Sequence, residues 1–210
     1  MCGGFALIKP VDPNARDGVD AIADWKATPG TVAIRVMMGR DVARDGADPG
    51  INRVLATAAR HGFPVNLMCV GRLAQVAELA RRNPDTRLVI DHLGFRQPFE
   101  PPPPAEPFAQ LPMLLELAQY DNVAVKVSGA CTLSLAPFPF PDIWEPLARV
   151  FEAFGFDRCM WGTDWTRAIA LLTYQQGVEA FRIADRLSED ERAALMGGTL
   201  QRIYDWKPSL

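Results

Sequence analysis

The sequence has 210 residues, of which 49% are hydrophobic and 22% are charged, as in an ordinary globular domain. Its net charge of −3 gives no sign of the basic surface by which proteins bind nucleic acid. No apolar run approaches the roughly 20 residues of a membrane-spanning helix. We therefore expect a small-molecule substrate and neither nucleic acid nor a membrane as partner, and the oligomeric state stays open.

The cysteines indicate a cellular compartment. Cys2, Cys69, Cys131 and Cys159 are scattered and form no C-x-x-C pair, which is typical of free thiols in a reducing environment. The first four residues include no basic region followed by an apolar stretch, so no secretion signal is predicted. The expected location is the cytoplasm.

Short apolar runs alternate with helical patterns along the whole chain. The runs are nearly all apolar, as in parallel strands that are buried on both faces. In chain order they are Phe5–Ile8, Thr31–Met37, Pro64–Val70, Arg87–His92, Val123–Ser128 and Arg158–Asp164. Alternation of strands and helices predicts right-handed βαβ units and a parallel sheet.

The segments between the runs have the periodicity of amphipathic helices. The predicted helices are Ile51–His61, a segment with Leu73, Val76, Leu79 and Ala80 on one face, Pro112–Tyr120, Ile143–Phe154 and Ala168–Leu187. Ser188 and Glu191 form a capping box that begins a last helix. The proline-rich residues Phe99–Pro107 predict a long loop after the fourth strand.

Two architectures fit this order of elements, a doubly wound open sheet and a barrel. A doubly wound nucleotide-binding fold has a glycine-rich turn after its first strand. Residues 9–13 contain no glycine, and no G-x-x-x-x-G-K-[ST] motif occurs. The pattern favours a barrel that forms a single domain over residues 1–210.

Polar residues occur where several of the predicted strands end. Catalytic groups of a parallel barrel come from these carboxyl ends. The candidates are Arg35 in the second run, His92 in the fourth, Lys126 and Ser128 in the fifth, and Asp164 in the sixth with Trp165 and Arg167 after it. Side chains alternate along a strand, so Leu88, Ile90 and His92 share a face. If that face points inward, His92 and Asp164 point into one cavity.

Each candidate also has a purely structural explanation. Asp164 could cap the helix that follows it, since aspartate is a favoured N-cap residue. His92 could be a buried histidine that is bonded to backbone, and Asp91 could only anchor a loop. His61, at the end of a predicted helix, is expected on the opposite rim.

Three motifs together resemble a known family. Leu88–Gly94, Val125–Gly129 and Met160–Trp165 match, in order and spacing, the amidohydrolase-related "family 2" hydrolases. This family includes pyrone-dicarboxylate lactonases, sugar-acid lactonases and related decarboxylases. The resemblance is strongest from Pro64 to Trp206. It implies an α/β fold, a TIM-type (β/α)₈ barrel with its active site at the carboxyl ends of the strands.

The resemblance also implies roles for single residues. Asp164 matches the last-strand aspartate that activates water, and it would be the ligand if a metal is present. His92 matches a histidine that polarises the substrate, and Arg35 resembles an arginine that faces it. The other expected substrate-binding residues are Lys126, Ser128, Trp165 and Arg167.

The sequence departs from the family in ways that concern the metal. It has no His-x-His pair on a first strand, and Asn66 and Met68 stand where many metal-binding members have a histidine. The first run would match the third family strand, so we expect an incomplete barrel of about six βα units. A zinc centre cannot be assembled from this chain alone, and one divalent metal or none stays open.

The function predicted from these residues is hydrolysis of a C–O bond in a small carboxylated lactone. Asp164 would activate water, and His92 and Lys126 would stabilise the oxyanion. Arg35 and Arg167 would hold an anionic substituent. The alternatives are a decarboxylase on the same barrel and a non-catalytic or inactive barrel fragment.

Overall fold

The computed structural model describes residues 6–15, 18–39 and 45–207. Phe5, at the start of the first predicted strand, and Cys2 lie outside these residues. Within them, no helix is long and apolar enough to cross a bilayer. Cys69, Cys131 and Cys159 are free and buried. Burial raises the pKa of Cys69 and Cys131 to about 12, so these thiols stay protonated at neutral pH.

The described part of the chain builds one six-stranded sheet in the order β1-β2-β3-β4-β5-β6, and every neighbouring pair is parallel. The strands are β1 Leu7–Pro10, β2 Thr31–Met37, β3 Val65–Met68, β4 Leu88–Ile90, β5 Val123–Ser128 and β6 Cys159–Gly162. A doubly wound sheet would reverse its strand order at a switch point. The sequential order confirms the prediction of an incomplete TIM-type barrel, with β1 and β6 at its edges.

Most of the helices pack on the outer face of this sheet. The helices are α1 Asp20–Ala27, α2 Pro49–Arg60, α3 Leu73–Arg82, α4 Leu111–Glu116, α5 Trp144–Phe154, α6 Trp165–Ala168, α7 Tyr174–Arg182, α8 Glu189–Ala193 and α9 Thr199–Ile203. The Ser188–Glu191 capping box begins α8 as predicted. Gly155 follows α5 with φ of 72°, a backbone conformation that ends a helix and favours glycine.

The prediction of one helix over residues 168–187 is wrong. The chain leaves α6 after Ala168 and begins α7 only at Tyr174. Thr173 accepts a hydrogen bond from the backbone N–H of Gln176, whose side chain bonds back to the Thr173 N–H. This capping box starts a new helix inside a sequence whose hydrophobic periodicity is continuous.

The two faces of the sheet carry separate apolar clusters. Leu88 and Ile90 pack in the large cluster beneath the helices. Val89, Ala124 and Met160 belong to a smaller cluster on the inner face. The condition that Leu88 and Ile90 face the barrel interior is therefore not met, and the inward face of β4 is the one that carries Val89.

The C-terminal segment covers the lower part of the inner face. Leu200, Ile203, Tyr204 and Trp206 pack in the inner cluster. Ile203 also lies beside Pro64, just before β3 begins, so this segment lies at the amino-terminal end of the strands. Their opposite, carboxyl end is left for the site.

Candidate functional site

The upper layer of the site is the rim group, which we define as His92, Ser128, Asp164 and Arg167. The Oγ of Ser128 lies 2.9 Å from Nδ1 of His92, and Oδ2 of Asp164 lies 3.4 Å from the same nitrogen. The Nε of Arg167 is 3.0 Å from Oδ2 of Asp164. The structure thus brings together four residues that the sequence placed at three different strand ends.

Left-handed turns place two of these side chains. β4 ends at Ile90, and His92 and Leu93 then adopt φ of 55° and 60°. Asp164, after β6, adopts φ of 49°. Histidine and aspartate are among the few non-glycine residue types that occur often in this conformation. His92 therefore turns toward Ser128 and Asp164 because the backbone turns after the strand, and strand alternation does not explain its direction.

The environment of His92 keeps its imidazole neutral. Burial lowers the pKa of His92 from its usual value, because the side chain is removed from water. Asp164 and Asp91 oppose this effect, and the positive charges of Lys126 and Arg167 add to it. A neutral imidazole can accept at one ring nitrogen and donate at the other.

Arg167 connects Asp164 to the loop after β4. Its Nη1 donates to the carbonyl oxygen of Gln97 over 3.3 Å, and its guanidinium lies 4.2 Å from the centre of the Phe99 ring. Gln97 in turn donates to the carbonyl oxygen of Ser128 over 2.7 Å. The Nε–H of Arg167 is buried and does not point at Asp164 with hydrogen-bond geometry, so their contact is an ion pair.

The lower layer is the buried group, which we define as Arg35, Asn66, Asp91, Lys126 and Tyr204. Asp91 is fully buried at its centre. Nδ2 of Asn66 donates to Oδ1 of Asp91 over 2.8 Å, and Nζ of Lys126 lies 3.5 Å from that oxygen. Nε of Arg35 is 2.9 Å from Oδ2 of Asp91. The Tyr204 hydroxyl donates to Oδ1 of Asn66 over 3.0 Å.

The structure places two of the predicted substrate-binding residues in this group. Arg35 and Lys126 lie there as inward-facing strand residues. Trp165, which follows Asp164 in the chain, packs edge-on against Tyr174, with ring centres 5.6 Å apart. Sequence analysis left Asp91 open between a functional residue and a loop anchor and did not include it among the site residues. It follows inward-facing Val89 by two residues, and this spacing could have identified it.

Gln97, Asn66 and Tyr204 were not predicted as site residues. Gln97 lies in a loop whose course the sequence pattern does not determine. Asn66 was noted only because it replaces a histidine, and its amide side chain carries no charge that would mark it as a site residue. Tyr204 reaches Asn66 from 138 residues away. No local sequence pattern predicts such a contact.

The residues of the site do not fit a zinc centre by themselves. Structural and catalytic zinc sites use at least three protein ligands, chiefly histidine, cysteine and carboxylates. No group of three such side chains could hold a metal ion within the described ranges. At the rim only His92 and Asp164 are of ligand type, and Nδ1 of His92 already faces Ser128.

An open groove lies elsewhere on the molecule. It has a volume of about 880 Å³ and runs between α5 and the segment before α8, beside Trp144, Phe151 and Leu187. It lies on the helical layer and contains no residue of the rim group or the buried group. The chemistry of the side chains, and not the size of the groove, therefore identifies the candidate site.

Comparisons with known proteins identify relatives of this chain. The profile of the amidohydrolase family matches residues 3–206. An L-fucono-1,5-lactonase from Burkholderia ambifaria is 30% identical over 214 aligned positions, which cover 95% of this chain and 70% of that protein. A 4-sulfomuconolactone hydrolase from Rhizobium radiobacter is 34% identical over 83 residues, or 39% of this chain and 25% of that protein.

A solved structure shows the same fold. A zinc-bound amidohydrolase from Burkholderia multivorans superposes with a TM-score of 0.80 and is 25% identical. The alignment covers 96% of this chain and 74% of that one.

Proposed function

Because this chain belongs to the amidohydrolase family, we propose that it is a hydrolase that opens the ring of a small lactone bearing a carboxylate. Asp164 acts as the general base, His92 donates to the developing oxyanion, and the cations of the buried group bind the carboxylate. The lactone specificity is supported by the similarity to L-fucono-1,5-lactonase and 4-sulfomuconolactone hydrolase.

One observation carries this proposal. The carboxylate of Asp164 and the imidazole of His92 meet within 3.4 Å at the carboxyl edge of the strands. A carboxylate beside a neutral imidazole provides both a proton acceptor and a hydrogen-bond donor. Ester hydrolysis by water needs both, one for the attacking water and one for the carbonyl oxygen.

In the proposed reaction, water attacks the lactone carbonyl carbon while Asp164 takes one of its protons. The new C–O bond and the negative charge on the carbonyl oxygen define a tetrahedral intermediate. When the intermediate collapses, the ring C–O bond breaks and the leaving alkoxide takes the proton back from Asp164. The product is an open-chain hydroxy acid, and the carboxyl group of Asp164 is again ionised.

We propose that Ser128 selects the tautomer of His92. If the Ser128 hydroxyl donates to Nδ1 over 2.9 Å, the proton of the neutral ring lies on Nε2 and is available to the substrate. Burial lowers the pKa of His92 and thereby supports this neutral form. Arg167, which sequence analysis assigned to the substrate, then orients Asp164 through their 3.0 Å ion pair.

The charge of the buried group supports an anionic substrate. Arg35 and Lys126 share the single carboxylate of Asp91. One positive charge is therefore uncompensated in this group. An arginine fork and an ammonium group are well suited to hold a substrate carboxylate.

We also propose that the protein resides in the cytoplasm. The three buried free thiols support this location.

The direct test is lactone hydrolysis by the purified protein. We expect the protein to open the ring of 2-pyrone-4,6-dicarboxylate, measured as the loss of ring absorbance. The kcat/KM for this substrate should be higher than that for the uncharged L-fucono-1,5-lactone. A higher kcat/KM for the uncharged lactone would contradict the assignment of a carboxylated substrate. Release of CO₂ from an aromatic carboxylate without lactone hydrolysis would support the decarboxylase alternative. No turnover of either kind would support a non-catalytic barrel.

A further inference from the structure

We infer that Asp91 is a positioning residue, which holds Arg35 and Lys126 in the orientation that binds an anionic substituent. We further infer that Asn66 and Tyr204 fix the carboxylate of Asp91 from below. The inference rests on the proposed function, because it concerns the same site and its substrate. The side chain of Asp91 is fully buried beneath Arg35 and Lys126, so its effect on the substrate passes through these two cations.

The surroundings of Asp91 consist of donors. Its side chain is 0% exposed, and Asn66, Lys126 and Arg35 approach its two oxygens. Burial of an ionised carboxylate is costly unless charge and hydrogen bonds compensate it. Two cations and one amide N–H supply this compensation. The contact with Asn66 is a hydrogen bond, whereas Nε of Arg35 and Oδ2 of Asp91 form an ion pair without hydrogen-bond geometry. The attraction of both cations to one carboxylate restricts where they can lie.

The two cations keep part of their surface free. The side chains of Arg35 and Lys126 are 30% and 17% exposed, whereas Asp91 is not exposed at all. Arg35 uses Nε toward Asp91. Among the described residues, none accepts a hydrogen bond from its terminal Nη1 and Nη2 atoms, which form the edge that binds carboxylates bidentately. Asp91 thus contacts Nε of Arg35 and one side of the Lys126 ammonium group. The terminal edge of the guanidinium and the other side of the ammonium group are left for the substrate.

Asn66 and Tyr204 extend the chain of contacts to the other end of the barrel. The amide oxygen of Asn66 accepts from Tyr204, so its Nδ2 is directed at Asp91. Burial raises the pKa of Tyr204, which keeps its hydroxyl protonated as a donor. Tyr204 belongs to the C-terminal segment on the inner face. That segment therefore helps to set the position of the substrate-binding cations.

The test measures binding rather than turnover. In an Asp164→Asn background, calorimetry gives the Kd of 2-pyrone-4,6-dicarboxylate and of 2-pyrone, the same ring without carboxylates. In Asp91→Asn the new amide N–H₂ faces a ring of donors, so one cation must move away. We expect the Kd of the dicarboxylate to rise about tenfold or more and the Kd of 2-pyrone to stay within about twofold.

Tyr204→Phe provides a second variant with a milder effect. It removes only the hydrogen bond to Asn66, and we expect a rise of about threefold in the dicarboxylate Kd. The matched controls are Asp85→Asn, an exposed aspartate before β4, and Tyr120→Phe, a half-buried tyrosine outside the site. Both controls should leave the Kd unchanged. If the melting temperature of Asp91→Asn is far below that of the parent, the two Kd values are instead compared in Tyr204→Phe and its control.

The outcomes separate the inference from the proposed function. If the parent binds the dicarboxylate, and these variants weaken binding, but no lactone is hydrolysed, the positioning role stands and the lactonase proposal fails. Equal weakening for both ligands would mean general damage to the pocket and would overturn the inference. Unchanged binding in Asp91→Asn, or no binding of the dicarboxylate by the parent protein, would also overturn it.

Discussion

The rim group and the buried group differ in what positions their side chains. In the buried group, Arg35, Asn66 and Lys126 point inward because they occupy alternate positions of regular strands. In the rim group, His92 and Asp164 lie beyond the last strand residues, on left-handed turns. Strand positions are held by the whole sheet, whereas turn positions depend on a few local contacts. The buried group is therefore a rigid floor of the site, and the rim group is an edge whose geometry depends on local contacts.

The largest expected effect is on the rim group. We predict that Asp164→Asn lowers kcat by about 10³-fold, since an amide cannot accept the proton of water. Asparagine tolerates positive φ nearly as well as aspartate, so the turn should persist. Kinetics and thermal melts of the purified variant check both statements.

The matched control is Asp205→Asn, because Asp205 is exposed and also has positive φ, at 46°. It should change neither kcat nor the melting temperature. A normal rate in Asp164→Asn would reject the role of base. A large loss of stability in that variant alone would instead indicate that Asp164 is needed for the turn.

The second prediction concerns the stability of the buried group. Arg35→Met removes one cation from buried Asp91 and should lower the free energy of unfolding by about 2 kcal/mol. The loss is smaller than for a fully buried pair because Lys126 and Asn66 remain and Arg35 is 30% exposed. Denaturant unfolding measures it.

Arg53→Met, on the exposed face of α2, is the control and should change stability little. If the two variants lose the same free energy, the contact between Arg35 and Asp91 contributes no more than an exposed side chain. That result would contradict the conclusion that the buried group is the rigid part of the site.

The third prediction tests how closely the loops of the rim are packed. Gly129 has φ of 69°, and a Cβ there would collide with Oε1 of Gln97. The Nε2 of the same Gln97 donates to the carbonyl oxygen of Ser128. Gly71 has φ of 72° with open space around it. Backbone strain is common to both sites, so their difference reports the collision alone.

We expect Gly129→Ala to lose about 1 kcal/mol more stability than Gly71→Ala, measured by denaturant unfolding. It should also lower kcat, because the displaced Gln97 no longer supports Ser128. Equal losses of unfolding free energy in the two variants would show that Gln97 moves aside at little cost. The loops around the rim group would then be less closely packed than the structure indicates.

The smallest effect is a pH dependence of stability. The pKa of His92 is lowered on folding, mainly by burial, so the unfolded chain binds this proton more readily than the folded protein. Stability is therefore fully present above the unfolded pKa, near 6.5, and is lost as pH falls toward the lower folded pKa. One such group contributes at most about 1.4 kcal/mol per pH unit.

We predict that His92→Asn flattens the fall in unfolding free energy between about pH 7.5 and 5. Asparagine suits the positive φ at this position. The same substitution at His61, which follows α2 outside the site, is the control. A slope that is unchanged in His92→Asn, or that flattens equally in His61→Asn, would contradict the assignment to His92.

Several features of the fold follow from local pattern. Five of the six predicted runs contain a whole observed strand, because a strand covered on both sides must be apolar along its length. The first run, Phe5–Ile8, only overlaps β1, which continues to Pro10. Helix α1 was not predicted, and the break between α6 and α7 was missed. In that second case a local capping box outweighs a hydrophobic periodicity that continues across it.

By itself the sequence determined the order of the strands, their parallel direction and the edge where polar residues collect. These follow from hydrophobic periodicity and from the right-handed βαβ connection. Only the tertiary structure decided which strand face points inward, since a shift of one residue exchanges the two faces. It also decided that His92 turns into the site and that Tyr204 reaches Asn66 across 138 residues. Both depend on where distant parts of the chain pack, which no local pattern records.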